Sequence, residues 1–106
     1  MRILFDQGTP VPLRKALIGH QVETTYELAW GELKNGELLG AAEAAGFDLL
    51  VTAAQNLRYQ QNPMQRTIAI IVLRSTSWPK IQRNIDSIVH AVELASSGTY
   101  AEVDIV

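Results

Sequence analysis

Arg2-Ile3-Leu4-Phe5-Asp6-Gln7-Gly8-Thr9-Pro10 is the stretch on which the fold turns. Its first four residues form a short apolar strand candidate, and Gln7 to Pro10 carry turn and helix-start signals directly behind it. A strand that passes at once into a helix start is the opening unit of an α/β sheet. In an open parallel sheet the carboxyl ends of the strands face the ligand crevice, so Asp6 is placed where a metal or a phosphate-bearing ligand can meet it.

The same alternation continues along the chain. Thr9 is an N-cap candidate with Pro10 at the first helical position, and Leu13, Leu17 and Ile18 give an apolar stripe that Gly19 ends. Gln21 to Tyr26, rich in Val, Thr and Tyr, reads as a second strand. Asn35 opens a helix to Ala45, with Leu38, Leu39, Ala42 and Ala45 on its buried face and Gly46 at its stop. Asp48 to Thr52 and Thr67 to Leu73 read as a third and a fourth strand, the fourth an unbroken apolar run suited to burial on both faces. Ser77 and Pro79 open one long helix carrying Ile81, Ile85, Ile88, Val89 and Val92, which Gly98 ends before a last strand from Tyr100 to Val106. With right-handed crossovers these pieces make a three-layer α/β domain around a central, mainly parallel sheet.

A chain of 106 residues with 47% hydrophobic and 19% charged residues is expected to be one globular domain. No apolar run approaches the roughly 20 residues of a membrane helix, so a soluble, cytoplasmic protein without a membrane partner is expected. The absence of cysteine rules out disulfides, thiolate nucleophiles and zinc-thiolate sites. The net charge of -2 is unevenly spread, because no acid occurs between Asp48 and Asp86 while Arg58, Arg66, Arg74, Lys80 and Arg83 fall in that interval. Such a basic stretch reads either as a nucleic-acid surface or as a solvated face with ordinary ion pairs.

Asp6 and Glu37 are the acids assigned to the carboxyl edge of the sheet. Together they could hold one Mg²⁺ or Mn²⁺, hard cations that take oxygen ligands and keep several waters. Each also has a purely structural reading: Asp6 as acceptor for the amides of the following turn, Glu37 as a first-turn acid favoured by the helix dipole. Asp48 belongs to the opposite edge. The polar segment Asn56 to Asn62, with Arg58 and Tyr59, suits base stacking and phosphate contact in single-stranded RNA, or else is a connecting loop. His20 and His90 have no metal-ligand spacing, and Trp30 and Trp78 read as lids over the core or as interface anchors. No nucleophile elbow or phosphate-binding glycine loop is present.

The order of these pieces, Asp6 after the first strand, Gly19-His20-Gln21-Val22 opening the second, Glu37-Leu38-Leu39 in a helix and then Leu50-Val51-Thr52, resembles the short PIN-like domains related to the VapC-type toxin ribonucleases. The resemblance runs from Met1 to about Leu73. It implies a single PIN-like domain over residues 1–106 and a metal-dependent endoribonuclease of toxin-antitoxin type, with Asp6 and Glu37 as catalytic and metal residues assisted by Asn56. The basic interval and the polar segment supply candidate RNA contacts at Arg58, Tyr59, Arg66, Arg74 and Lys80, and the resemblance further implies an antitoxin-like protein partner and a homodimer through Trp78 or the last helix.

One part of the pattern departs. Where the family reads Thr-x-Asp-x-Asp-Phe, this chain reads Thr52-Ala53-Ala54-Gln55-Asn56-Leu57. Both acids are replaced, so Mg²⁺ or Mn²⁺ should be held weakly or not at all, and the alternative is an inactive PIN-like module that binds RNA or a protein.

Overall fold

The computed structural model describes residues 1–33, 35–53 and 67–106. Five strands form one sheet: β1 (Arg2–Phe5), β2 (Gln21–Thr24), β3 (Leu49–Thr52), β4 (Ala69–Leu73) and β5 (Tyr100–Val103). Their order is β2-β1-β3-β4-β5 and every neighbouring pair is parallel. The strand order reverses between β1 and β3, which is where open sheets of this order bind ligands.

The sheet is central because both faces are apolar and both are covered. Every residue of β3 and of β4 is buried. On one face Ile3, Phe5, Val51, Ile71 and Leu73 meet the 3₁₀ turn Val11–Ala16 and the helices α2 (Trp78–Arg83) and α3 (Ile85–Leu94). On the other, Leu4, Leu50, Ile70 and Val72 meet Leu38, Leu39 and Ala42 of α1 (Asn35–Ala44). Trp30 packs edge-to-face on Phe47 with ring centroids 6.2 Å apart, and Trp78 packs against the first core, so both tryptophans cover core residues.

Several elements differ from their sequence reading. The first helix is a 3₁₀ turn that Thr9 does not cap, because the Thr9 hydroxyl donates instead to the Val51 carbonyl at 3.1 Å. Leu13 and Leu17 are buried as expected, but Ile18 lies past the turn and is 87% exposed. Ala45 is exposed beyond the end of α1, and β2 stops at Thr24. Strand β4 starts at Ala69, β5 ends at Val103, and β3 starts at Leu49. The long final helix is broken at Asn84, whose side-chain amide donates to the carbonyls of Lys80 and Val106.

The crossovers do not share one hand. The chain passes from β1 to β2 on the face of the 3₁₀ turn, and from β2 to β3 in the opposite direction on the opposite face, which preserves hand. From β4 to β5 it moves in the same direction as from β2 to β3, yet α2 and α3 lie on the face of the 3₁₀ turn. That last crossover therefore has the opposite hand, against the strong preference for uniform right-handed connections. The reason is packing: the short turn buries Leu13 and Leu17, and Ile81, Ile88 and Val92 fill the same layer beside them.

Candidate functional site

The register of the sheet builds the site. Phe5 pairs with Val51 on one side and Thr24 on the other, so Asp6 and Thr52 are the next residues up on neighbouring strands. Asp6 is tied there by its own amide, which donates to the Val51 carbonyl at 3.0 Å. Alternation along the strands puts Asp6 on the face of Leu4 and Thr52 on that of Leu50, which is the α1 face.

Both oxygens of the Asp6 carboxylate are engaged. Oδ1 accepts the Gln7 amide at 2.7 Å and Oδ2 accepts the Thr52 hydroxyl at 2.9 Å. The turn-amide role expected of a strand-end Asp is therefore realised through Oδ1 alone, while Oδ2 takes a hydroxyl from the neighbouring strand. A carboxylate offers about four acceptor sites, so each oxygen keeps capacity for a further partner. Asp6 is only partly buried, and the residue lines a cleft of about 500 Å³ together with Gln7, Thr9, Arg14, Thr25 and Tyr26.

The loop after β2 forms the opposite wall. Thr24 and Glu27 close a reciprocal capping box: the Thr24 amide donates to Glu27 Oε1 at 3.0 Å and the Glu27 amide donates to Thr24 Oγ1 at 3.1 Å. Arg14 reaches across from the 3₁₀ turn and pairs with Glu27 at 2.6 Å. This hydrogen bond from Arg14, followed by the one from the Thr24 amide, holds the Glu27 carboxyl below its usual range. The turn ends in two further bonds, from the Ala29 amide to the Tyr26 carbonyl and from the Trp30 amide to the Thr25 carbonyl, with Ala29 in the left-handed region at φ 58°.

Glu37 lies in the first turn of α1 and is exposed. The end of α1 is at the amino edge, where Ala45 accepts a hydrogen bond from the Arg2 guanidinium, so the start of the helix is at the carboxyl edge with Asp6. Edge and sheet face are thus shared, but Glu37 does not line the cleft. Asp48 sits at the opposite edge as expected and accepts the Arg2 amide at 2.8 Å. Among the described residues there is no group of three or more His, Cys, Asp or Glu positioned to hold a metal ion.

Arg74 and Lys80 take different roles. Arg74 pairs with Glu102 at 3.2 Å and Asp104 at 3.4 Å, the ordinary ion-pair reading of the basic stretch, whereas Lys80 is exposed on α2. Asn56, Arg58, Tyr59 and Arg66, with Ala54, lie outside the described residues. Comparison with known proteins gives no matching family model, no matching curated protein and no matching solved structure.

Thr52 is a residue that the sequence already places at this edge beside Asp6, whereas Arg14, Tyr26 and Glu27 were not assigned to the site from sequence. The signal for the last pair of partners was present as Thr24-Thr25-Tyr26-Glu27, a Thr-x-x-Glu capping box. It is hidden by the β-rich composition of Gln21 to Tyr26, which reads as one strand.

Proposed function

We propose that this chain is a PIN-like domain of toxin-antitoxin type that acts on RNA at the carboxyl edge of its sheet, using one divalent cation held at Asp6. The observation that carries the reading is Asp6 itself: a strand-end carboxylate between β1 and β3, oriented by Thr52 and the Gln7 amide, on a residue that lines a cleft. The donor set suits Mg²⁺ or Mn²⁺ bound through one or two carboxylates and otherwise by water. When bound, such a cation lowers the pKa of water and offsets charge on a phosphodiester.

The chain's own residues would then divide the work simply. Asp6 supplies an oxygen ligand whose direction is fixed by its two hydrogen bonds. Glu37, at the same edge and on the same sheet face though outside the cleft, would supply the second carboxylate, with Asn56 as a neutral oxygen donor. Two acids are too few for a two-metal site, so slow single-cation hydrolysis is the expected activity.

A second reading, an RNA-binding or protein-binding module without cleavage, is favoured by Ala54 and Asn56 standing where the PIN-like pattern carries acids. Single-stranded RNA incubated with Mn²⁺ separates the two. Cleavage that chelator stops and Asp6→Asn abolishes supports the enzyme. Retention of intact RNA, sensitive to salt and indifferent to chelator, supports the binder.

A further inference from the structure

The Tyr26 ring belongs to neither of the two hydrophobic cores. It is 89% exposed, although burying an aromatic ring is among the larger gains open to a chain of this size. Its position is nevertheless fixed from both ends, by the Thr24–Glu27 box before it and by the Ala29 and Trp30 amide bonds after it. Arg14 clamps the same turn to the rest of the domain through Glu27.

The turn also places Tyr26 among the residues that line the cleft containing Asp6. Val11, 53% exposed, lines the same cleft, whereas the other large exposed apolar residues among those described, Met1, Ile18, Leu94 and Val106, do not. A protein partner is recognised by a contiguous apolar core with a polar rim. One exposed aromatic ring on a fixed backbone, beside one aliphatic side chain and polar neighbours in the same cleft, instead suits a single flat group. Because the Arg14 guanidinium is already committed to Glu27, charge attraction at this rim is small and ring stacking is the available source of affinity.

We propose that Tyr26 is a base-stacking residue of this site, taking one unpaired base of a single-stranded RNA on its ring at the rim of the Asp6 cleft. This rests on the RNA reading above and adds to it a residue and a preference for unpaired strands. A base inside a duplex is stacked on its neighbours and cannot lie on the tyrosine ring.

The test is fluorescence anisotropy of a labelled single-stranded RNA and of its duplex, in Mg²⁺, with strand integrity checked on a gel afterwards. Wild type, Tyr26→Phe and Tyr26→Ala are compared at low and at moderate salt. Tyr26→Ala is expected to weaken single-strand binding about tenfold, the scale of one lost stacking contact, while Tyr26→Phe stays near wild type. The ratio of wild type to Tyr26→Ala should be the same at both salts, and duplex binding should not respond to the substitution. Equal single-strand binding by wild type and Tyr26→Ala overturns the stacking role and leaves the RNA reading standing. A wild type that binds no RNA overturns both. Removing so exposed a side chain leaves the core intact, which an unchanged thermal melt verifies.

Discussion

Replacing Asp6 by Ala and by Asn separates its part in the fold from its part in the site. Asp6→Ala removes two hydrogen bonds, an exposed one from the Gln7 amide and a part-buried one from the Thr52 hydroxyl. The first counts at about 0.5–1.5 kcal/mol and the second, to an ionised oxygen in a drier place, at about 1.5–3 kcal/mol. Taking the lower part of each range, because Asp6 is itself only partly buried, gives a loss of about 2–3 kcal/mol. For a domain of this size that lowers the Tm by roughly 10–15 °C. Asp6→Asn keeps a carbonyl oxygen for the Gln7 amide, and its NH₂ donates to Thr52 if the hydroxyl turns round to accept. Its expected loss is within about 1 kcal/mol. Urea unfolding at neutral pH reads both. An Asn variant as unstable as the Ala variant would refute the geometry assigned to the Thr52 contact, and an Ala variant as stable as wild type would refute both bonds.

Three further outcomes follow from the same residues. Glu27 has a folded pKa below its ordinary 4.5, so its contribution to stability is present above that value and is lost as pH falls through the folded pKa. The stability gap between wild type and Glu27→Gln should therefore be open at neutral pH and close on acidification below pH 4.5, as read by unfolding at a series of pH values. Ala29→Gly should raise stability by about 0.5–1 kcal/mol, because glycine removes the left-handed cost at φ 58° while losing more chain entropy, measurable as a Tm increase. Gly8→Ala should lower stability by about 1 kcal/mol: its φ is +88°, and an added Cβ would sit at an ordinary 3.5 Å from Thr76, so backbone strain and not collision is what unfolding would report.

The sheet was legible because its signals are local. Leu49 to Val51 and Ile68 to Leu73 are unbroken apolar runs, and the structure buries them on both faces. Asp6 and Asp48 fell at opposite edges because a strand's direction alone assigns its two ends. What depended on competition between elements was not legible. The hand of the last crossover follows from α2 and α3 sharing the layer of the short 3₁₀ turn, a property of the assembled layers. At the break, the Asn84 side chain bonds a carbonyl 22 residues away, at Val106, a partner that no local pattern reveals. In the site, Asp6 was readable from one strand and its turn, whereas Thr52 joins it only through the β1–β3 register. Arg14 joins Glu27 only once the 3₁₀ turn packs beside the loop after β2.

The direct test of the account is a calorimetric Mn²⁺ titration of wild type beside Asp6→Asn, which is expected to stay folded. Saturable binding by wild type that disappears in Asp6→Asn is the predicted result and locates the cation at the carboxyl edge. Equal binding by the two proteins, or none by wild type at millimolar Mn²⁺, would contradict a metal site at Asp6.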